Sequence, residues 1–323
     1  MSFLQTSVSG FPAVSLRNDE MEFVVVPAIG AKITNLRRRR GREWLWRNPD
    51  IPIGLPADPL ASPTAYVDRA DSGGWDECFP TIGATPVPGS PAAGLWLPDH
   101  GELWAADWTS RVYDHVGGTT FSSHTCGRAL PYEFHREVTL DPAEPLVHFA
   151  YRLRHVGGPP FPWIWASHPL LNVRAGSTVA LDGVGTVTVI GVTGRDDLVA
   201  GQDVPWPLDG GTVFRHPGAA GWSAMVFARS SGTGQVTVTD PQVGEQFEMR
   251  FSPQEIPQTG VWINAGGWAP PGKTVYTNLG LEPGIGAPDS LANAVDRWRL
   301  APLLHQGEER AWSFSVTLRE ADD

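Results

Sequence analysis

The chain has 323 residues, of which 36 are Gly and 30 Pro, about 20% against a usual share of roughly 12%. Such frequent punctuation argues against coiled coils and long-helix proteins, and 41% hydrophobic residues with no low-complexity tract argues against disorder. A net charge of −11 opposes phosphate backbones, so no nucleic acid is expected as a partner, and no apolar stretch approaches the roughly 18–20 residues that span a bilayer.

Read in chain order, the sequence predicts strands almost throughout. Residues 22–27, 32–36 and 43–46 are short β-type runs separated by Gly30 and Gly41. Between them lies a basic run, Arg37 to Arg40 with Arg42, which reads as an arginine-rich surface turn. Residues 47–99 carry ten prolines and read as one long loop, a length that points to a binding-face excursion. Strand patterns resume at 110–113, 132–140 and 146–154, the last alternating with period two, and Asp141 to Pro145 makes a hairpin of the latter pair. Further strands are expected at 161–173, 184–192, 223–228, 235–239, 245–251, 261–265, 274–281 and 311–318. One helix is expected at 289–299, capped by Asp289 or Ser290, with Leu291, Ala294, Val295 and Trp298 at helical spacing. Some fifteen strands, one helix, no internal repeat and no linker predict an all-β fold of large antiparallel sheets in a single domain, residues 1–323.

Two cysteines, Cys78 and Cys126, form neither a disulfide framework nor a zinc spacing; no metal and no cofactor is expected, and the reduced cytoplasm is the expected location. The start, Met1-Ser2-Phe3-Leu4-Gln5, lacks the basic residues of a secretion signal. Tryptophan is abundant, 14 residues, and combines a flat apolar face with one donor, which suits stacking on sugar rings as well as core packing.

Of nine histidines, His135, His148, His155 and His115 lie in alternating strands, and His124, His216 and His305 have no acidic or cysteine neighbour at ligand spacing. His100, in Leu97-Pro98-Asp99-His100-Gly101-Glu102, closes the long loop. His168, in Ser167-His168-Pro169-Leu170-Leu171-Asn172, lies in a strand just before a proline that removes a ladder donor. Glu282 interrupts an apolar strand at Leu281-Glu282-Pro283-Gly284. Three polar groups at strand ends beside Gly and Pro are candidates for one sheet face.

These segments, with Ser72-Gly73-Gly74-Trp75-Asp76-Glu77-Cys78-Phe79-Pro80 and the early pair of runs around Ile33 to Leu36 and Glu43 to Trp46, resemble the aldose 1-epimerase, or galactose mutarotase-like, superfamily, in order, over roughly residues 20–318. The resemblance implies a large antiparallel β-supersandwich with a small-molecule sugar on its concave face. It implies that Glu282 is the general base at the anomeric hydroxyl and His168 the general acid at the ring oxygen, with His100 binding the substrate. A His titrating near neutral pH and a Glu raised by burial suit proton removal and delivery at one hemiacetal carbon.

The chain also departs from that pattern. Characterised relatives often carry an Arg just before the Gly-Gly pair, where this chain has Ser72, so Arg69, Trp75 and Asp76 are the expected sugar contacts. The superfamily's binding Asp, between the second His and the Glu, has no unambiguous counterpart; Asp203 and Asp209 are the candidates. Trp104 and Trp165 are further candidates for the sugar. A non-catalytic sugar-binding protein on the same scaffold is the alternative, and a lyase or hydrolase would need a second carboxylate near Glu282.

Overall fold

The computed structural model describes residues 2–60, 62–88, 96–211 and 221–321; His216 falls outside them. Two large antiparallel sheets lie face to face, as the all-β expectation requires. Strands Ser2–Val8, Phe11–Arg17, Met21–Val26, Lys32–Arg38 and Trp75–Cys78 form one half of an eleven-stranded sheet. Strands Trp165–Leu171, Thr277–Ile285, Gln258–Ala265, Trp222–Arg229, Thr186–Thr193 and Asp203–Pro205 complete it in that order. The second sheet has eight strands, in the order Thr178–Leu181, Gln235–Asp240, Glu245–Phe251, Glu309–Glu320, Leu146–His155, Tyr132–Leu140, Gly118–Cys126 and Thr109–His115.

The second sheet shows the plain signature of a sheet with one wet face: Tyr132–Leu140 and Leu146–His155 alternate buried and part-exposed residues along their whole length. The middle of the larger sheet differs, because Trp75–Cys78 and Trp165–Leu171 are buried on both faces. One face packs on the second sheet, and the other is covered by the long excursion after Arg38. That excursion contains a helical turn, Tyr66–Ala70, and the strand Trp75–Cys78. The expected strand at 43–46 is reduced to single bridges, Leu45 to Leu171 and Arg47 to Gly73.

The basic run is only partly the expected surface turn. Arg37, Arg39 and Arg40 are exposed, but Arg42 is buried, bonded to Asp240 and lying under the Trp44 ring at 4.4 Å. The helix begins as predicted, with the Ser290 hydroxyl accepting from the Asn293 N–H; after Leu291–Asn293 it widens into a π-type turn over Ala294–Trp298. Among the described residues no helix is long and apolar enough to cross a membrane.

The two sheets meet over an aromatic layer in which the Trp75 ring stacks on Phe149 at 4.7 Å and on Phe314 at 6.0 Å. One ion pair is sealed within this layer. Arg136 of the smaller sheet reaches Glu77 of the larger one at 3.1 Å, with both side chains fully buried. The Glu77 carboxylate also accepts from the Tyr151 hydroxyl at 2.8 Å and the Trp165 indole N–H at 2.9 Å. Burial pushes the Glu77 carboxyl up, and Arg136 and these donors pull it back. Glu77→Leu would leave the Arg136 charge in the core without its carboxylate. It is expected to destabilise the protein by about 3–5 kcal/mol, read as a lowered urea midpoint.

Candidate active site

A cavity of about 450 Å³ opens on the face of the larger sheet that looks away from the smaller one. Its floor follows from strand alternation. In Thr277–Ile285, Leu279 and Leu281 point into the core, so Asn278, Gly280 and Glu282 share the opposite face. In Gln258–Ala265, Val261 and Ile263 are core, and Gly260 and Trp262 face the cavity side. In Trp165–Leu171 the indole of Trp165 and the hydroxyl of Ser167 turn inward, leaving His168 and Leu170 on the cavity side.

Gly260 is opposite Glu282 in register, and a Cβ there would sit 2.7 Å from Met225 Cε and 3.2 Å from Glu282 Cβ. Only hydrogen leaves both side chains their positions. The walls are aromatic: Trp262 and Trp268 meet edge to face at 5.7 Å, and Tyr276 lies 4.4 Å from Trp46.

The long loop supplies the opposite wall through Val67, Asp71, Ile82 and His100. His100 adopts a left-handed backbone, φ 60°, and is followed by Gly101 at φ 70°, where a Cβ would strike the Phe79 carbonyl. Its amide donates to the Ile82 carbonyl at 2.5 Å, and its ring is sandwiched against Tyr66 at 4.0 Å. The rings of His100 and His168 are 4.7 Å apart, and His168 Nε2 is 3.7 Å from Glu282 Oε1. The three sequence candidates His100, His168 and Glu282 therefore line one cavity.

Their charges are set by burial and by one another. Burial raises the Glu282 carboxyl to about 7; the His100 charge opposes this and Asp99 adds to it. Burial lowers His168 well below the usual imidazole value, helped by the positive charges of His100 and Lys32. Burial alone would lower His100 too, but Asp99, bonded to its Nδ1 at 2.8 Å, reverses the direction and holds it above the usual value. The two imidazoles are thus shifted in opposite directions, His168 down and His100 up.

The structure takes the other expected contacts elsewhere. Trp75 is wholly buried between the sheets, its indole N–H given to Ser167 at 2.7 Å, because period two sends its neighbour Asp76 to the cavity side instead. Asp76 lies one layer beneath the lining, where its Oδ2 is held by Lys32 at 2.6 Å and the Tyr66 hydroxyl at 2.8 Å. Arg69 is exposed on the outside of the Tyr66–Ala70 turn. Asp203 is exposed on an edge strand and accepts from Thr188 at 2.6 Å, and Asp209 pairs with Arg195 at 2.7 Å. Trp104 and Trp165 are buried packing residues.

In their place the cavity presents Asp71, Asn278, Asp289, Trp262, Trp268 and Tyr276. Asn278 was signalled by its place four residues before Glu282 on the same strand face, and Asp71 by its adjacency to the Gly-Gly segment. Three buried polar groups of the lining lack a hydrogen-bond partner among the described residues: both amide atoms of Asn278, Oε2 of Glu282 and Nδ1 of His168. Buried polar atoms left this way cost stability, and at the cavity wall they are open to pairing with a bound molecule.

Cys78, fully buried, brings its sulfur within 4.8 Å of a nitrogen of His100 and of His168, the single such metal-capable group among the described residues. Burial and the Glu282 charge push its thiol far up, which opposes the thiolate a soft metal ion would need.

By sequence, no protein family and no curated protein matches the chain. By structure it is similar to Slr1438 from Synechocystis sp. PCC 6803, at 17% identity and TM-score 0.71 over 99% of both chains. It is similar to a galactose mutarotase-like protein from Clostridium acetobutylicum, at 12% identity and TM-score 0.68 over 99% of this chain and 98% of that one. A galactose mutarotase related enzyme from Lactobacillus acidophilus aligns at 15% identity and TM-score 0.64, over 96% and 98%. The chain has the galactose mutarotase-like fold.

If the Asn278 amide is held for a ligand rather than for the fold, Asn278→Leu removes two unpaired polar atoms at similar volume. Its urea midpoint is expected to match or exceed that of the wild type. A loss of more than about 1 kcal/mol would make the amide structural.

Proposed function

We propose that the protein is an aldose 1-epimerase-like isomerase, interconverting the anomers of a sugar bound on the concave face of the larger sheet. The observation that carries the reading is a buried carboxyl raised to about 7, Glu282, facing an imidazole at 3.7 Å in a cavity walled by Trp262, Trp268 and Tyr276. Aromatic faces suit the C–H faces of a pyranose, and Asn278 and Asp71 offer the fixed polar contacts that orient hydroxyls.

The chemistry follows from the groups. Glu282, ionised, takes the proton of the anomeric hydroxyl while an imidazolium across the ring gives a proton to the ring oxygen. The bond from C1 to the ring oxygen breaks, and the former hydroxyl oxygen becomes the carbonyl. After rotation about C1–C2 the ring hydroxyl attacks the other carbonyl face, returning its proton to the imidazole as Glu282 reprotonates the new anomeric oxygen. Acid and base exchange roles between directions, which groups titrating close to neutral pH allow. Three of the polar lining residues are carboxylic acids, Asp71, Glu282 and Asp289, and no Lys or Arg lines the cavity among the described residues, which favours an unphosphorylated sugar. A cytoplasmic location belongs to the same proposal and rests on Cys78 and Cys126, both free thiols.

Saturation-transfer NMR on α/β-aldoses tests the reaction. Wild-type protein is expected to speed anomer exchange, with kcat/KM falling as pH drops through about 7, because protonation removes the base. Glu282→Gln should lower kcat by about 10²–10⁴-fold with the sugar still bound. Binding without faster exchange in the wild type would favour a carbohydrate-binding protein instead.

A further inference from the structure

The two imidazoles of the cavity are not equivalent, and their difference is built into the backbone. His168 sits on a central strand with Nδ1 lacking any hydrogen-bond partner among the described residues, and its nearest carboxylate is 3.7 Å away. His100 has a carboxylate bonded to its ring nitrogen, Asp99 Oδ2 to Nδ1 at 2.8 Å. That contact joins sequence neighbours, which an extended chain would point apart. Here it depends on the left-handed turn at His100, a conformation that costs energy in a residue other than Gly.

The surroundings hold the turn closed. The Asp99 amide donates to the Pro63 carbonyl at 2.8 Å, the Trp104 indole N–H donates to the Asp99 carbonyl at 3.2 Å, and the Gly101 amide returns to Pro98 at 2.9 Å. Strain at a defined turn, fixed from three sides, whose visible result is a carboxylate-backed imidazole in the cavity wall, points to a purpose for the pair.

We propose that Asp99 is a positioning residue for His100, and that His100, rather than His168, delivers the proton to the ring oxygen. The proposal rests on the isomerase reading above. Within it, His168 is the neutral imidazole between acid and base, a hydrogen-bond partner to the reacting oxygens in the way a neutral imidazole can polarise a substrate.

The groups facing His100 are mostly acidic. Asp99 on its own loop, Asp71 at the end of the Tyr66–Ala70 turn and Glu282 on the sheet are acidic and favour its cationic form. His168 and Lys32 on the sheet are the basic groups, and Lys32 is paired with Asp76 at 2.6 Å. Tyr66 covers one ring face, and Cys78 lies beneath with its thiol protonated. With Nδ1 occupied by Asp99, Nε2 is the nitrogen left to meet a sugar oxygen.

Two measurements on Asp99→Asn and Asp99→Glu test this. In sugar-free protein, the ring signals of His100 and His168 are followed by NMR against pH, each assigned by its loss in His100→Gln or His168→Gln. Asp99→Asn should move the His100 midpoint to lower pH, and Asp99→Glu should restore it in part. In the exchange assay, the alkaline limb of kcat/KM should move to lower pH in Asp99→Asn, with kcat at pH 8 down by about tenfold or more and KM within about twofold. A purely structural role for Asp99 would lower activity without moving the limb. An unmoved His100 midpoint, or an alkaline limb that follows the His168 midpoint, would overturn the proposal. If the His100 midpoint moves but the wild type speeds no anomer exchange, the isomerase reading fails and the proton-delivery step with it, while the Asp99–His100 pair stands.

Discussion

Everything in the cavity depends on the middle of the larger sheet being covered on both faces. In a strand with one wet face, a polar residue pointing outward is unremarkable, because water satisfies it. In Trp165–Leu171 and Thr277–Ile285 the outward positions are also closed off, so His168, Asn278 and Glu282 are buried at 6%, 1% and 6% exposure. Desolvation is therefore the largest influence on both Glu282 and His168, and it acts in opposite directions on an acid and a base. Burial thus raises the carboxyl to about 7 and takes the imidazole well below its usual value. The same two-sided burial demands a secure sheet, and the sealed Glu77–Arg136 pair and the Trp75 stack lie directly behind it. Core face and cavity face are the two sides of the same few strands.

The covering layer is the long excursion between Arg38 and Thr109, and its composition explains its shape. Prolines and glycines keep most of its described residues out of the sheet: apart from the strand Trp75–Cys78 it contributes two helical turns, Tyr66–Ala70 and Leu103–Ala105, and a few short bridged segments. It brings Asp71, Ile82 and His100 over Glu282 and His168. A rigid sheet thus holds Glu282 and His168 and a clamped loop holds His100, which fixes their separation without requiring them to be neighbours in sequence.

Much of this was legible in the sequence. Period-two alternation placed the strands of the smaller sheet because one face is wet: 132–140 matches the strand Tyr132–Leu140 in full, and 245–251 matches Glu245–Phe251. Strands without an apolar rhythm escaped. Gly118–Cys126 is Thr and Ser with a single Phe, and the first hairpin, Ser2–Val8 with Phe11–Arg17, alternates too weakly to stand out. His100, His168 and Glu282 were visible because each interrupts or ends a pattern beside Gly or Pro. Trp75 and Asp76 could not be apportioned, since a four-residue strand buried on both faces carries no rhythm to say which side is which. Arg69 was chosen by nearness to the Gly-Gly pair, a poor guide where a turn sends alternate residues to opposite sides; Asp203 was chosen by its order between His168 and Glu282, which does not reveal that its strand is the edge of the sheet.

Residue type alone would make the two histidines interchangeable, and their settings make them opposites. A ring on a central strand, with both faces of the sheet covered, has nothing to compensate the loss of water, so it stays neutral. A ring on a loop can take its partner from the loop itself, and Asp99 does so through a turn that no strand could accommodate. The turn at His100 is thus the means by which a buried ring keeps a carboxylate bonded to it. The ring in turn acts on its neighbours, opposing the rise of Glu282 and adding to the fall of His168. One two-residue contact at the mouth of the loop thereby bears on all three titratable groups of the cavity.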